Sequence, residues 1–331
     1  MRNVPGKKIS WGIIGCGDVT EIKSGPAFNR VEGSELVSVM RRDEAKAEDY
    51  ARRHAVPQWY NNADALMNDP KINAVYIATP PKFHKEYAIR ALQKNLFVYV
   101  EKPIALNSSE ALEITEAVNH YSGKLCVAHY RRKLPSFIFV KELLKSNIIG
   151  DIQLVRITMA QSTKPSLAAQ TKENWRVDPK ISGGGYFHDL APHQLDLMYY
   201  FFGAPILCTG FSINQSKQYD ADDLVSGQMV FKNNIAFFGN WNFSAAEKES
   251  TDECIIIGTK GSMRFSFFGN DVAVKDSGGI ESIRHFENPK HVQQPMIESV
   301  VRYFRREIEN PCSIDEAVEV MRMMDSFTTK R

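Results

Sequence analysis

Between residues 8 and 128 the apolar residues come in short continuous runs: Lys8 to Ile14, Leu36 to Met40, Ala74 to Ala78, Leu96 to Val100 and Leu125 to Ala128. Charged stretches with helical spacing lie between them, notably Asp43 to His54, His84 to Gln93 and Ser109 to Tyr121. A strand that is apolar at every position is one covered on both faces, and a helix between successive strands makes the sheet parallel. The pattern predicts a doubly wound α/β domain over residues 1–128.

After Arg131 the rhythm changes. Helices are expected over Ser136 to Ser146 and His188 to Phe202, the second preceded by Gly183, Gly184 and Gly185. From Ile206 to Phe286 most runs read as strands: Ile206 to Ile213, Leu224 to Phe231, Ile235 to Phe243, Glu253 to Ile257, Met263 to Phe267, Val272 to Val274 and Ile283 to Phe286. Turn chemistry at Asn233-Asn234 and at Gly258 to Gly261 joins neighbours. The second domain, residues 129–331, is therefore α+β with a large, mostly antiparallel sheet. Two helices end it, Gln294 to Asn310 and Ser313 to Phe327, with the break at Pro311 and the last helix free to pack back on the first domain. Phe231, Phe237, Phe238 and Trp241 lie on apolar strand faces that serve either as core or as a subunit interface.

Composition narrows the function. With 41 Lys+Arg against 39 Asp+Glu, the chain has no general attraction for phosphate backbones or anionic lipid, so neither nucleic acid nor membrane is expected as a partner. No run approaches the roughly 18 apolar residues of a membrane span, and no signal-peptide pattern heads the chain. Cys16, Cys126, Cys208, Cys254 and Cys312 form no CxxC pair, which fits a reducing cytoplasm.

Gly15-Cys16-Gly17-Asp18-Val19-Thr20 follows the first strand. One glycine permits the tight turn, the next lets backbone approach a pyrophosphate, and the N–H groups opening a helix face the anion. The third small residue of such a fingerprint is replaced by Thr20. At the end of the second strand, where an acid usually binds the ribose 2′-hydroxyl, stand Arg41 and Arg42, whose charged forks suit a 2′-phosphate. NADP(H) is expected over NAD(H). The plainer reading makes these arginines a solvated loop and Asp43 a helix cap.

Two more segments lie at carboxyl ends of strands, where such sheets bind ligands. Thr79-Pro80-Pro81 is a rigid turn followed by His84, expected to cap or contact the dinucleotide. Glu101-Lys102-Pro103 sets a lysine where it faces a nicotinamide and substrate. In the second domain Asp189, His193 and Asp196 are spaced i, i+4, i+7, which puts them on one helical face. A histidine beside carboxylates is a candidate acid/base. Imidazole and carboxylates also bind zinc or iron, but the sequence offers no further ligand cluster, and no metal is expected.

Together, Gly15-Cys16-Gly17, Glu101-Lys102-Pro103 and the triple glycine followed by Asp189 and His193 resemble the Gfo/Idh/MocA oxidoreductases, over nearly the whole chain. Tyr130-Arg131-Arg132 and Trp175-Arg176 resemble the branch containing dihydrodiol and sugar dehydrogenases. The resemblance implies a Rossmann domain and a β-rich domain whose open sheet forms subunit contacts, hence a homodimer or homotetramer. It implies a nicotinamide cofactor and a sugar, polyol or related cyclic alcohol as substrate. Carried over by position, Lys102, Asp189 and His193 are the catalytic group. Gly15 to Val19, Arg41, Arg42, Thr79, Pro80, His84, Glu101 and Lys102 serve the cofactor. Tyr130, Arg131, Trp175 and Arg176 line the substrate pocket or pack the core. Alcohol oxidation requires the hydroxyl proton to leave as hydride moves, and either His193 or Lys102 accepts it. Two other functions stay open: glycoside cleavage through transient oxidation by a tightly held NAD(P), releasing sugar without net reduction, and a dinucleotide sensor without turnover.

Overall fold

In the computed structural model, which describes residues 8–168 and 174–328, the chain divides into two units. One holds residues 8–130 and 289–318, the other residues 131–168, 174–288 and 319–328.

The first unit is built on six parallel strands: β1 (Ile9–Ile14), β2 (Ser34–Met40), β3 (Gln58–Tyr60), β4 (Ala74–Ile77), β5 (Phe97–Val100) and β6 (Leu125–Val127). Their order is β3-β2-β1-β4-β5-β6. The order reverses between β1 and β4, which is the switch point where doubly wound sheets leave a crevice. Helices Glu44–Arg53, Ala63–Asn68, His84–Gln93 and Ser108–His120 supply crossovers. Strands β4 and β5 are buried at every position, as unalternating runs should be. β3 and the helix after it were not expected. Three residues are too few to show a period, and β3 is fixed by pairing with Ser38 to Met40.

Residues 289–318 complete this unit. Phe304 stacks on Phe97 with ring centroids 4.8 Å apart and lies against Trp11 at 5.7 Å. Helix Gln294–Phe304 stops well before Pro311, contrary to expectation. The chain turns through Arg306 in the left-handed region, so the turn and not the proline ends the helix.

The second unit carries β7 (Ile152–Ala160), β8 (Leu207–Ile213), β9 (Leu224–Phe231), β10 (Ile235–Asn242), β11 (Thr251–Gly258), β12 (Gly261–Phe265), β13 (Asp271–Lys275) and β14 (Glu281–His285). Their order is β14-β13-β12-β11-β7-β10-β9-β8. β7 is central, antiparallel to β11 and parallel to β10. β7 was not expected, although Val155, Ile157 and Met159 alternate along it as its buried positions. All other pairings in this sheet are antiparallel.

Helix Gly185–Phe202 covers the inner face. Phe187 meets Trp241 edge-on at 5.1 Å, and the Trp241 indole N–H donates to Gln194 Oε1 at 2.5 Å. Gly210, Gly227 and Gly239 stand in register across β8, β9 and β10. A side chain at Gly227 would strike the Phe327 ring at 2.4 Å and one at Gly210 would come within 3.0 Å of it, so these two make the bed for that ring, while Gly239 makes room for Trp241. Phe231, Phe237 and Trp241 are fully buried core, whereas Phe238 faces outward. No helix among the described residues is long and apolar enough to cross a membrane.

Candidate active site

In the first unit the expected residues gather at the carboxyl ends of β1, β2, β4 and β5. β1 ends in a turn whose Gly15 and Cys16 N–H groups both donate to Met40 O, at 2.9 and 3.1 Å. Gly15 has φ +93°, and a Cβ there would lie 2.8 Å from Thr79 Cγ2, so only glycine fits. The same construction at Gly17 meets only Gly15 O at 3.9 Å, leaving open space over that residue. The Cys16 side chain is buried and its thiol is pushed up to about 11 by burial, so it stays a neutral thiol packed inward. Asp18 is exposed and Val19 half-buried.

The helix opening at Asp18 is a single turn, Asp18–Glu21. Thr20 explains its own departure from the fingerprint. Its hydroxyl donates to Gly17 O at 2.7 Å and closes the turn, while its carbonyl accepts the Tyr50 hydroxyl at 2.8 Å. Close packing beneath the turn comes instead from Gly25, where a Cβ would lie 2.2 Å from Thr20 O.

Arg41 reaches back and donates to Cys16 O at 3.2 Å. Arg42 is exposed, with its guanidinium 5.2 Å from the centre of the Phe83 ring. Asp43 caps helix Glu44–Arg53, accepting from Lys46 N at 3.2 Å, as the plainer reading had it. The capping leaves both arginines at the end of β2.

Thr79 and Pro80 are half-buried, and Thr79 Oγ1 is a buried atom with no hydrogen-bond partner among the described residues. His84 does not offer a ring nitrogen to a ligand. Its Nδ1 faces Pro103 O at 2.8 Å and its Nε2 faces Thr79 O at 2.7 Å, so the ring ties the β4 turn to the β5 turn. Burial pushes its pKa down, although both carbonyls favour the protonated ring. Glu101 is also turned inward, 6% exposed; Lys102 beside it is half-buried. Tyr130, the last residue of this stretch, is buried.

In the second unit Asp189, His193 and Asp196 do lie on one helix, Gly185–Phe202, but their environments differ. Asp196 belongs to Arg132. The guanidinium Nη2 donates to Asp196 Oδ1 at 2.7 Å and Nε lies 3.0 Å from Oδ2, with both side chains 1% exposed. Asp189 Oδ2 accepts from Arg176 Nε at 2.8 Å, and the Arg176 guanidinium lies 4.4 Å from the centre of the Trp175 ring. Arg176 Nη1 is buried without a partner among the described residues. His193 is buried and meets the Phe268 ring edge-on at 5.8 Å. The Arg131 guanidinium lies 4.1 Å from the same ring's centre and donates to Phe267 O. His188 is not a candidate. It packs so tightly on Gly184 that a Cβ there would lie 2.2 Å from Nδ1, and burial holds its pKa at about 4.

Asp252 was missed. It accepts Phe268 N at 2.7 Å, its Oδ1 is buried without a partner among the described residues, and burial raises its pKa despite the nearby Arg131. The signal was present, since Asp252 shares the strand parity of Cys254 and Ile256, both buried. An acid on the apolar parity of a strand is rarely accidental. Gln293, which bonds Glu101, gave no signal, because it sits at the start of a helix far along the chain. No group of three or more metal-ligating side chains occurs among the described residues.

Residues 9–129 match the family described as oxidoreductase, NAD-binding Rossmann fold, and residues 137–264 match the GFO/IDH/MocA C-terminal domain. Oxidoreductase P35 of Formosa agariphila is 51% identical over 320 residues, covering 97% of this chain and 98% of that protein. The 1,5-anhydro-D-fructose reductase of Ensifer adhaerens is 24% identical over 84% of this chain and 80% of its own. A levoglucosan dehydrogenase solved with NADH and levoglucosan superposes with a TM-score of 0.84 at 20% identity, covering 96% of each chain. The chain is an oxidoreductase of the GFO/IDH/MocA family, with the NAD-binding Rossmann fold of that family in its first unit.

Proposed function

We propose that the protein moves a hydride between NADP(H) and a secondary alcohol or carbonyl of a sugar, polyol or related cyclic diol. The observation that carries this is the cradle at the end of β1: open space over Gly17, with the Thr79 hydroxyl buried beside Gly15 and without a partner among the described residues. A dinucleotide phosphate supplies the acceptors such a cradle lacks. The backbone from Gly15 to Val19 and the Thr79–Pro80 turn would hold it, and Arg41 and Arg42 would take the 2′-phosphate. The nicotinamide, when bound, supplies the hydride acceptor or donor.

The chain's own residues handle the proton. His193 accepts the hydroxyl proton in oxidation and returns it in reduction. Asp189, steadied by Arg176, binds a neighbouring hydroxyl or the imidazole. Lys102 stabilises developing alkoxide charge. A carbohydrate-like substrate is supported by relatives named for anhydrofructose and levoglucosan. Self-association through the outer sheet face is supported by exposed Leu207, Phe211, Ile213 and Phe238 on β8 and β10.

The test pairs fluorescence titration of NADPH and NADH with turnover on aldoses, polyols and anhydro sugars. Lys102→Met and His193→Ala should each cut turnover by about 100-fold or more while dinucleotide affinity persists. Arg41→Ser with Arg42→Ser should erase the preference for NADPH. Unchanged turnover in both single variants, or no dinucleotide binding by the parent chain, overturns the reading.

A further inference from the structure

The roles proposed above use Lys102 and leave its neighbour Glu101 without a task. A carboxylate this deep is costly unless several donors hold it. Glu101 Oε1 accepts from the Tyr76 hydroxyl on β4 at 2.5 Å and from Gln293 Nε2 at 2.7 Å. Its Oε2 accepts the N–H of Lys102 at 3.2 Å.

Gln293 is fully buried and used at both ends. Its Oε1 accepts the Tyr99 hydroxyl at 3.3 Å while Nε2 donates to Glu101. A carboxylate can only accept, so the amide orientation follows from the chemistry. The same short segment is fixed to the chain beyond the phosphate turn. Gln293 N donates to Lys23 O at 3.1 Å, and His291 Nδ1 lies 2.6 Å from Ile22 O. One peptide stretch thus touches both the exit of the β1 turn and the carboxylate behind Lys102.

We propose that Gln293 is a positioning residue for Lys102. By donating to Oε1 it fixes the Glu101 carboxylate, whose other oxygen holds the Lys102 N–H, and so sets the backbone from which the lysine projects. This inference rests on the role proposed for Lys102.

Three variants separate positioning from packing. Gln293→Met keeps the volume and removes both hydrogen bonds. Gln293→Glu keeps the shape, but its carboxyl donates to Glu101 only while it keeps its proton, and a facing carboxylate makes it keep that proton to higher pH. Gln293→Glu with Glu101→Gln removes the like-charge conflict. The other titratable groups facing this carboxylate are Tyr76, Tyr99, Lys102 and His84, with His291 on the same segment as Gln293. Burial pushes both tyrosines well up and His84 down, so those three keep their charge state between about pH 6.5 and 8.5.

NADPH affinity, NADPH-dependent turnover and urea midpoints are measured across that range. Gln293→Met should lose about 10- to 100-fold in kcat, the scale of a small misplacement of a reacting group, with NADPH affinity little changed. Gln293→Glu should match it at the alkaline end and recover toward the acid end, where the parent and Gln293→Met show no such recovery. The double variant should lose that pH dependence. Parental kcat in Gln293→Met, or a Gln293→Glu profile parallel to the parent's, overturns the proposal. A urea midpoint for Gln293→Glu that falls with pH while turnover does not follow also overturns it, since the contact would then be structural only. Absence of turnover in the parent chain defeats the functional reading itself, and this proposal with it.

Discussion

The two sheets place polar side chains in opposite ways. In the first unit short strands, apolar at nearly every position, end together, and the groups of interest sit on the turns just past β1, β2, β4 and β5. Most bonds there run to backbone of an adjacent turn, Arg41 to Cys16 and His84 to Thr79 and Pro103, with Glu101 the exception, held by the Gln293 side chain from far along the chain. In the second unit the strands alternate, one face is buried, and the polar groups project from the middle of a helix. Each is then held by a side chain or backbone group from a distant segment: Asp196 by Arg132, Asp189 by Arg176, Gln194 by Trp241. Topology alone locates the first set. The second set depends on long-range pairs that cannot be removed one member at a time.

The buried Arg132–Asp196 pair should therefore give the largest effect. Arg132→Met removes the cation that faces the Asp196 carboxylate in the core and should cost about 3–5 kcal/mol, read as a fall in the urea midpoint. Arg132→Met with Asp196→Leu should recover most of that loss. If the double variant is as unstable as the single one, the pair's worth lies in packing and the contrast between the units weakens.

This contrast also explains what the sequence made legible. Continuous apolar runs, helical spacing and Gly15-Cys16-Gly17 are local signals, and each marks an element the structure contains. β3 is set by pairing and the end of helix Gln294–Phe304 by a turn, so no local period announced them, whereas β7 does alternate, with Val155, Ile157 and Met159 on its buried face. For the candidate site, helical spacing put Asp189, His193 and Asp196 on one face correctly, but spacing carries no information about Arg132, which takes Asp196 away. His84 and Glu101 were recognised as present at strand ends; that they turn inward as struts depends on Pro103 and Gln293.

His188 should give the next effect. Its folded pKa near 4 lies below the usual histidine value, so the folded chain holds the ring neutral where the unfolded chain protonates it. Its contribution is present above about pH 6.5 and is lost as pH falls through about 4, up to about 3 kcal/mol in all. Urea midpoints of His188→Leu should depend less on pH across that interval than the parent's. Equal slopes would mean that another group governs acid sensitivity in the second unit. Gly15→Ala probes the first unit in return. It forces a Cβ to φ +93° and into Thr79, a strain of about 1–3 kcal/mol. The urea midpoint should fall by that strain, and NADPH affinity should drop about tenfold or more.

The smallest effect should come from the exposed edge of the first unit. Glu21, at the end of the turn after Gly17, accepts from Arg53 Nη1 and Nη2 at 2.8 Å each and lies 2.8 Å from His54 Nε2. The hydrogen bond to Arg53 contributes most to holding its carboxyl at about 2, below the usual range. A depressed carboxylate stabilises the fold above its unfolded value of about 4.3, and that stabilisation disappears as pH falls toward 2. The Glu21 side chain is 33% exposed and Arg53 44%, so solvent screening reduces the effect to about 1 kcal/mol at neutral pH. Glu21→Gln should lower the urea midpoint slightly at pH 7, and the gap to the parent should narrow both on acidification below about pH 5 and in about 1 M salt. A gap that ignores both pH and salt would mean that Glu21 acts by packing, and the first unit would then share the second unit's dependence on fixed side-chain contacts.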